Sequence, residues 1–210
     1  MKTKLMLALA LLISVSTSSY AQKKNEFAIL FGLNQPLLAD GFNFELNYFT
    51  RKLAFDYSHG FSLEYKDAGI VGAMKDQRLV AHVPYSVGVG VGYRFTRFLN
   101  LRVEPKWHRF EIYYAGEEQT SINQITAYNT FTLGLGLYGK WHPFEKKEGA
   151  LRNIMIAPSV RWWPNVSTGL ENDQISYSNK LTNKTEVHEA MNIGFGNTPL
   201  ILNISVGYRF

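Results

Sequence analysis

The sequence predicts an all-β protein, an antiparallel up-and-down barrel of about eight strands. Three observations lead there. Apolar and polar residues alternate with a period of two through most of the chain, short and long connections alternate between the alternating segments, and the first residues form an export signal. After residue 21 no segment longer than about twelve residues carries the 3.6-residue period of an amphipathic helix.

The alternation is clearest in residues 87–95, where Val87, Val89, Val91, Tyr93 and Phe95 interleave with Gly88, Gly90, Gly92 and Arg94. Residues 131–141 repeat the rule with Phe131, Leu133, Leu135 and Leu137 against Thr132, Gly134 and Gly136. Residues 202–210 repeat it again, with Leu202, Ile204, Val206, Tyr208 and Phe210 against Asn203, Ser205, Gly207 and Arg209. Successive strand side chains point to opposite faces, so each segment has one apolar face and one small or polar face. Five weaker segments complete the series: residues 26–34, 42–50, 53–65, 99–113 and 152–163. A tilted strand of about nine to eleven residues crosses a hydrocarbon layer. Pro105 and Pro158 fall inside these segments, and each removes a ladder donor. A bulge is expected at one or both, and one near Pro105 would carry the apolar face from Val103 to Phe110 and Ile112.

The connections sort into short ones (residues 51–52, 96–98 and 142–151) and mostly longer ones (35–41, 66–83, 114–127 and 164–199). In chain order they alternate, beginning with a long one, so an even strand number puts both termini at the short-turn end. Transmembrane barrels show this asymmetry, with short periplasmic turns and longer extracellular loops. The longest connection, 164–199, is mostly polar and is the best candidate contact surface.

Lys2 and Lys4 precede an apolar run at residues 5–15, and Ser19-Tyr20-Ala21 offers small residues where a signal peptidase reads. Cleavage is expected after Ala21, which divides the chain into a signal peptide (1–21) and a barrel domain (22–210). The apolar run is too short for an uncleaved anchor helix. Loss of residues 1–21 takes Lys plus Arg from 22 to 20 against 17 Asp plus Glu, a net charge of about +3. The export signal and the scatter of the charges argue against a nucleic-acid partner. The chain has no cysteine, which excludes disulfides and thiolate metal sites.

Large apolar residues on one face of every strand would overfill an eight-stranded interior, so that face is assigned outward, to lipid. The inward face then collects Glu45, Asp56, Glu64, Arg94, Arg102, Glu104, Lys106, Lys140, Arg161 and Arg209. Unpaired charges are costly to bury, so these four acids and six bases are expected to pair or to meet water. They could line an ion or ligand path. A salt-bridged plug is the reading favoured here, because eight strands leave an interior just filled by side chains. Aromatics near strand ends (Tyr48, Phe49, Tyr93, Phe95, Tyr113, Tyr114, Trp141, Trp162, Trp163 and Tyr208) suggest two interfacial girdles.

With its export signal, its strand series and the terminal Tyr208-Arg209-Phe210, the whole mature chain resembles the small, eight-stranded bacterial outer-membrane β-barrel family. The resemblance implies a Gram-negative cell outer membrane, with lipid and lipopolysaccharide as surroundings. It also implies that Leu202, Ile204, Val206, Tyr208 and Phe210 are the signal read by the barrel-assembly machinery. The expected role is structural, adhesive or surface-interacting, with no cofactor and no enzyme activity. A narrow, porin-like pore or small-molecule conduit is the alternative, and a lipid-modifying enzyme a third. None of His59, His82, His108, His142 and His188 has a serine two residues away, the spacing that would place both on one strand face. The sequence offers no evidence for a Ser–His pair formed across strands. It does not identify an extracellular ligand.

Overall fold

Eight antiparallel strands close on themselves in the computed structural model, which describes residues 25–66 and 78–210. The expected signal peptide and most of the 66–83 connection lie outside the described residues. The barrel strands are β1 (Glu26–Gly32), β2 (Phe42–Phe49), β3 (Leu53–Tyr65), β4 (Leu79–Arg94), β5 (Leu99–Tyr114), β6 (Thr126–Gly139), β7 (Ile154–Trp162) and β11 (Leu200–Arg209). Each pairs with its neighbour in chain order, β7 pairs with β11, and β11 closes the ring on β1. The chain is a closed eight-stranded antiparallel barrel. No described helix is long and apolar enough to cross a membrane.

The turns over residues 50–52, 95–98 and 140–153 lie at one end with both ends of the described barrel, and the longer connections lie at the other. One long connection carries a short helix, α1 (Asn34–Leu38). Another, expected to be a polar loop, is ordered. Pro164 interrupts β7, and the line resumes as β8 (Asn165–Thr168) alongside β6. A hairpin then follows, formed by β9 (Gln174–Asn179) and β10 (Lys184–Glu189).

The outward face is apolar. One band of aromatics, including Tyr48, Tyr93, Phe95, Phe98, Trp141 and Phe210, rings the short-turn end. A second, including Phe31, Phe42, Phe61, Tyr85, Trp107 and Trp162, rings the wall toward the long loops. Between them stand exposed aliphatics such as Val89, Val91, Val103, Leu135, Leu202 and Ile204. On β4 the bands are eight residues apart, from Tyr85 to Tyr93. At ~3.3 Å per residue and a tilt of ~40° that is about 20 Å, near the height of a lipid-facing belt. Three aromatics expected in the girdles, Phe49, Tyr113 and Trp163, are instead buried. Phe49 turns inward because its ring faces the cations Arg94, Lys140 and Arg102, at 5.4, 4.6 and 5.7 Å.

The bulge expected near Pro105 is not there. β5 alternates without a break, and its register with β6 is continuous from Leu99 to Ile112. Phe110 and Ile112 lie on the same inward face as Arg102 and Glu104, so it is the interior that changes from charged to apolar. The face switch belongs to β3 and β4. The β4–β5 register shifts between His82 and Ser86, around Pro84. At the same height Ser62 of β3 takes a left-handed φ of 49°. Below this level Gly60 and Gly88 face inward, and above it Leu63, Ala81 and Val83 do. Pro158 likewise causes no register shift. The β6–β7 pairing loses rungs beside it and resumes, at the same offset, in the Trp141–Ile156 bridge.

Inward glycines leave room for what faces them. A Cβ at Gly207 would lie 1.9 Å from the Ile29 carbonyl oxygen, on the backbone of the closing strand β1. Gly207→Val is therefore expected to prise β11 from β1. The cost should be at least the ~1–3 kcal/mol of ordinary overpacking. The check is the urea midpoint for unfolding and the yield of the heat-modifiable folded band, both of which should fall.

Candidate functional site

Parity places the charged residues. In β5 the even positions face inward, in β2 and β7 the odd ones, and buried Asn43, Glu45 and Asn47 therefore look across the barrel at Ser159 and Arg161. Mid-barrel, Arg161 Nη2 donates to Glu45 Oε1 at 2.7 Å and its Nε to Ser159 Oγ at 2.9 Å. Arg102 donates to Asp56 Oδ1 at 3.0 Å, to Asn47 Oδ1 at 2.7 Å and to Asn100 Oδ1 at 2.6 Å. Glu104 accepts from Tyr138 OH at 2.6 Å and from Trp163 Nε1 at 3.1 Å, while Lys106 Nζ stands 3.9 Å from it. Lys106 also donates to Ser58 Oγ and lies 4.1 Å from the centre of the Trp163 ring. Tyr138 is flanked by Arg102 and Arg161, at 4.0 and 4.8 Å. Arg161–Glu45 and Arg102–Asn47 bridge strands three apart in the ring, and Arg102–Asp56 and Lys106–Ser58 bridge strands two apart.

A second tier sits at the short-turn end. Glu26 holds Lys140 at 2.8 Å, with Arg209 and His142 each 3.8 Å away, and Arg94 donates to the Thr50 carbonyl. The structure thus brings Glu45, Asp56, Arg102, Glu104, Lys106 and Arg161 into one tier and Arg94, Lys140 and Arg209 into another. Glu64 belongs to neither. It lies past the face switch at Ser62, so its side chain turns outward to Lys66 at 3.2 Å and to Gln119 at 2.9 Å. Glu26 was missed, although its position opposite Phe27 in the alternation marks it as inward.

Above the tiers the interior becomes an apolar core of Leu63, Val83, Phe110, Ile112, Tyr128 and Trp163, continued by Ile175, Tyr177, Met191 and Ile193 of the last connection. Outside that core the wall is polar, with Glu111 between Arg109 at 3.9 Å and His82 at 3.5 Å. The β9–β10 hairpin covers the core and is fastened to it. Tyr114 OH donates to the Ser178 carbonyl at 2.6 Å, and the Met191 amide donates to Tyr128 OH at 3.0 Å. Within the hairpin, hydrogen bonds from Tyr177 OH and Asn179 Nδ2 hold the Glu186 carboxyl below its ordinary range. Between the charged tier and α1 lies a cavity of about 70 Å³. Its polar side is Asn34, Gln35, Asn43, Ser86, Lys106 and Arg161, and its apolar side includes Leu38, Leu63, Trp163, Ile193 and Phe195.

A Ser–His contact does form across strands. Ser86 Oγ and His108 Nδ1 are 2.8 Å apart, and His108 Nε2 lies 3.0 Å from Thr132 Oγ1. Both residues face the interior rather than lipid. Among the described residues no carboxylate touches the imidazole to orient it as in a hydrolase triad. Alternation within one strand could not reveal this contact, because it depends on the shifted β4–β5 register. No group of acids and histidines able to hold a metal occurs among the described residues.

No protein-family model and no curated protein matches the sequence. Among solved structures, Ail, the attachment invasion locus protein of Yersinia pestis, superposes with a TM-score of 0.43 at 14% identity, over 90% of this chain and all of Ail. The same protein in complex with the heparin analogue sucrose octasulfate gives the same values. A major outer membrane protein from Thermus thermophilus gives 0.44 and 14%, over 89% of this chain and 98% of its own. The barrel itself is established by its closed ladder and two-faced strands.

Arg161→Met should strand the Glu45 carboxylate in the interior and lower stability by about 3–5 kcal/mol. Replacing both partners, Glu45→Leu with Arg161→Met, should recover most of that loss. Urea unfolding of the barrel in lipid vesicles measures both, and equal losses for the single and double variants would show that this pair does not carry the tier.

Proposed function

We infer that the chain is an integral outer-membrane β-barrel, exported with removal of residues 1–21. In this reading its interior is closed by the charged tiers, and its outer loops face the surroundings in a structural, adhesive or surface-interaction role. The observation that carries the reading is the inversion along β5. Leu101, Val103 and Trp107 face out while Arg102, Glu104 and Lys106 face in, and a turn further on Arg109 and Glu111 face out while Phe110 and Ile112 face in. An apolar exterior over a charged interior suits hydrocarbon, and the reverse suits water. The change of sense falls just beyond the outer aromatic band, where such a barrel would leave the bilayer.

The interior pairs support a closed lumen, since the carboxylates of Glu26, Glu45, Asp56 and Glu104 are each engaged inside rather than presented to a water column. The terminal strand, with Leu202, Ile204, Val206 and Tyr208 outward and Phe210 at its end, fits the role of an assembly signal. Lipid and lipopolysaccharide are then the immediate partners.

The purified barrel is expected to migrate at different positions on a gel before and after boiling, and to fractionate with the outer membrane. Identical migration, with recovery from the soluble periplasm, would overturn the reading. Planar bilayers containing the protein should show no steady conductance. A stable conductance that disappears when Arg102 or Glu104 is neutralised would replace the closed lumen with a conduit.

A further inference from the structure

The cavity above the charged tier shares Lys106 and Arg161 with it and adds Gln35, Asn43 and Ser86 to its polar wall. Asn43 is 7% exposed and lines the cavity, and beside it Gln35 Oε1 is buried there without a hydrogen-bond partner among the described residues. Buried amide groups ordinarily find partners, so the Gln35 and Asn43 pair marks a place for a polar group. The charges point to the sign of that group. Glu45 and Asp56 are matched closely by Arg161 and Arg102, while Glu104 is already satisfied by two neutral donors, Tyr138 and Trp163. Within that tier Lys106 is left as the most loosely matched cation, 3.9 Å from its nearest carboxylate, and it borders the cavity. The interior as a whole holds Glu26, Glu45, Asp56 and Glu104 against six bases, so one added anion brings it closer to neutrality.

Size and walls define the rest. About 70 Å³ is several times the space a water needs and about half that of a cavity that holds benzene. It accommodates a small head group, and the remainder of a ligand must lie toward the rim, where Leu38 is exposed and Phe195 half-buried.

We propose that the outer mouth binds a small amphipathic carboxylate. The head enters the cavity and accepts hydrogen bonds from Lys106 and the Asn43 amide, and the apolar tail lies against Leu38 and Phe195. Ser86, held by His108, supplies a hydroxyl at the same wall. The inference stands on the cavity and does not depend on where the barrel resides.

The test is a titration of the full barrel in phosphatidylcholine nanodiscs with hexanoate, hexanol and hexylammonium, read by NMR at the Trp163 indole N–H and the Asn43 side-chain amide. Hexanoate should give saturable shifts, hexanol at least tenfold weaker binding, and hexylammonium none. Lys106→Gln should weaken hexanoate about tenfold or more, the size of one charge-assisted hydrogen bond. Asn43→Leu, outside the ion pairs, should weaken it severalfold and serves if Lys106→Gln does not fold. Equal binding of hexanoate and hexanol, hexanoate binding that survives both substitutions, or no saturable shift with any probe would overturn the proposal, the last leaving a cavity that holds water alone.

Discussion

Everything in this molecule depends on closure of the backbone ladder. In the membrane setting proposed above, a sheet edge in hydrocarbon would leave N–H and C=O groups without partners, each at a cost of several kcal/mol, so a spanning sheet must end where it began. Pairing of β11 with β1 meets that condition. Once the ring is closed, the period of two leaves each side chain one choice, outside or inside, and the composition of each side follows from what surrounds it.

That choice has different answers at different heights. Low in the barrel, Glu26 gathers Lys140 and Arg209, and Phe49 offers its ring to three cations. At mid-height, acids and bases pair across the interior. Higher still the charges stop, and Phe110, Ile112 and Tyr128 make an ordinary hydrophobic core under the β9–β10 hairpin. β5 passes through all three zones with its alternation intact. β3 and β4 need a local break, at Ser62 and Pro84, to bring Leu63 and Val83 inside. The cavity lies where the charged and apolar zones meet, which is why its walls are of two kinds.

The strands were legible because each alternates along its own length, a signal that requires no knowledge of the neighbour. Ten charged residues were assigned inward on that basis, and the one misplaced, Glu64, lies past a break that sequence spacing does not reveal. The prolines misled in the same way. Pro105 and Pro158 drop rungs without moving the register, whereas Pro84, between the 66–83 connection and the strand expected from residue 87, sits in the bulge. The hairpin left a readable trace, since Ile175 and Tyr177 alternate with Ser176 and Ser178, but its strands are only six residues each and were submerged in a polar stretch. Contacts between strands, such as Ser86 with His108 or Arg161 with Glu45, depend on register and curvature together and have no signature in a single segment.

The seam that closes the ring also sets an order of events. Most pairings join strands that follow one another along the chain, and these can zip from their turns. The β1–β11 seam joins the two ends of the described chain, and it can form only after everything between them has been arranged. Such distant contacts carry the largest loop-closure entropy and form slowly. Until they form, both edges stay open, and in the proposed membrane setting the partly built sheet has no stable resting place. The slowest step and the step that makes the structure compatible with its surroundings are therefore the same one, so the commitment of this barrel is better described as a latch than as a gradual accumulation of strands.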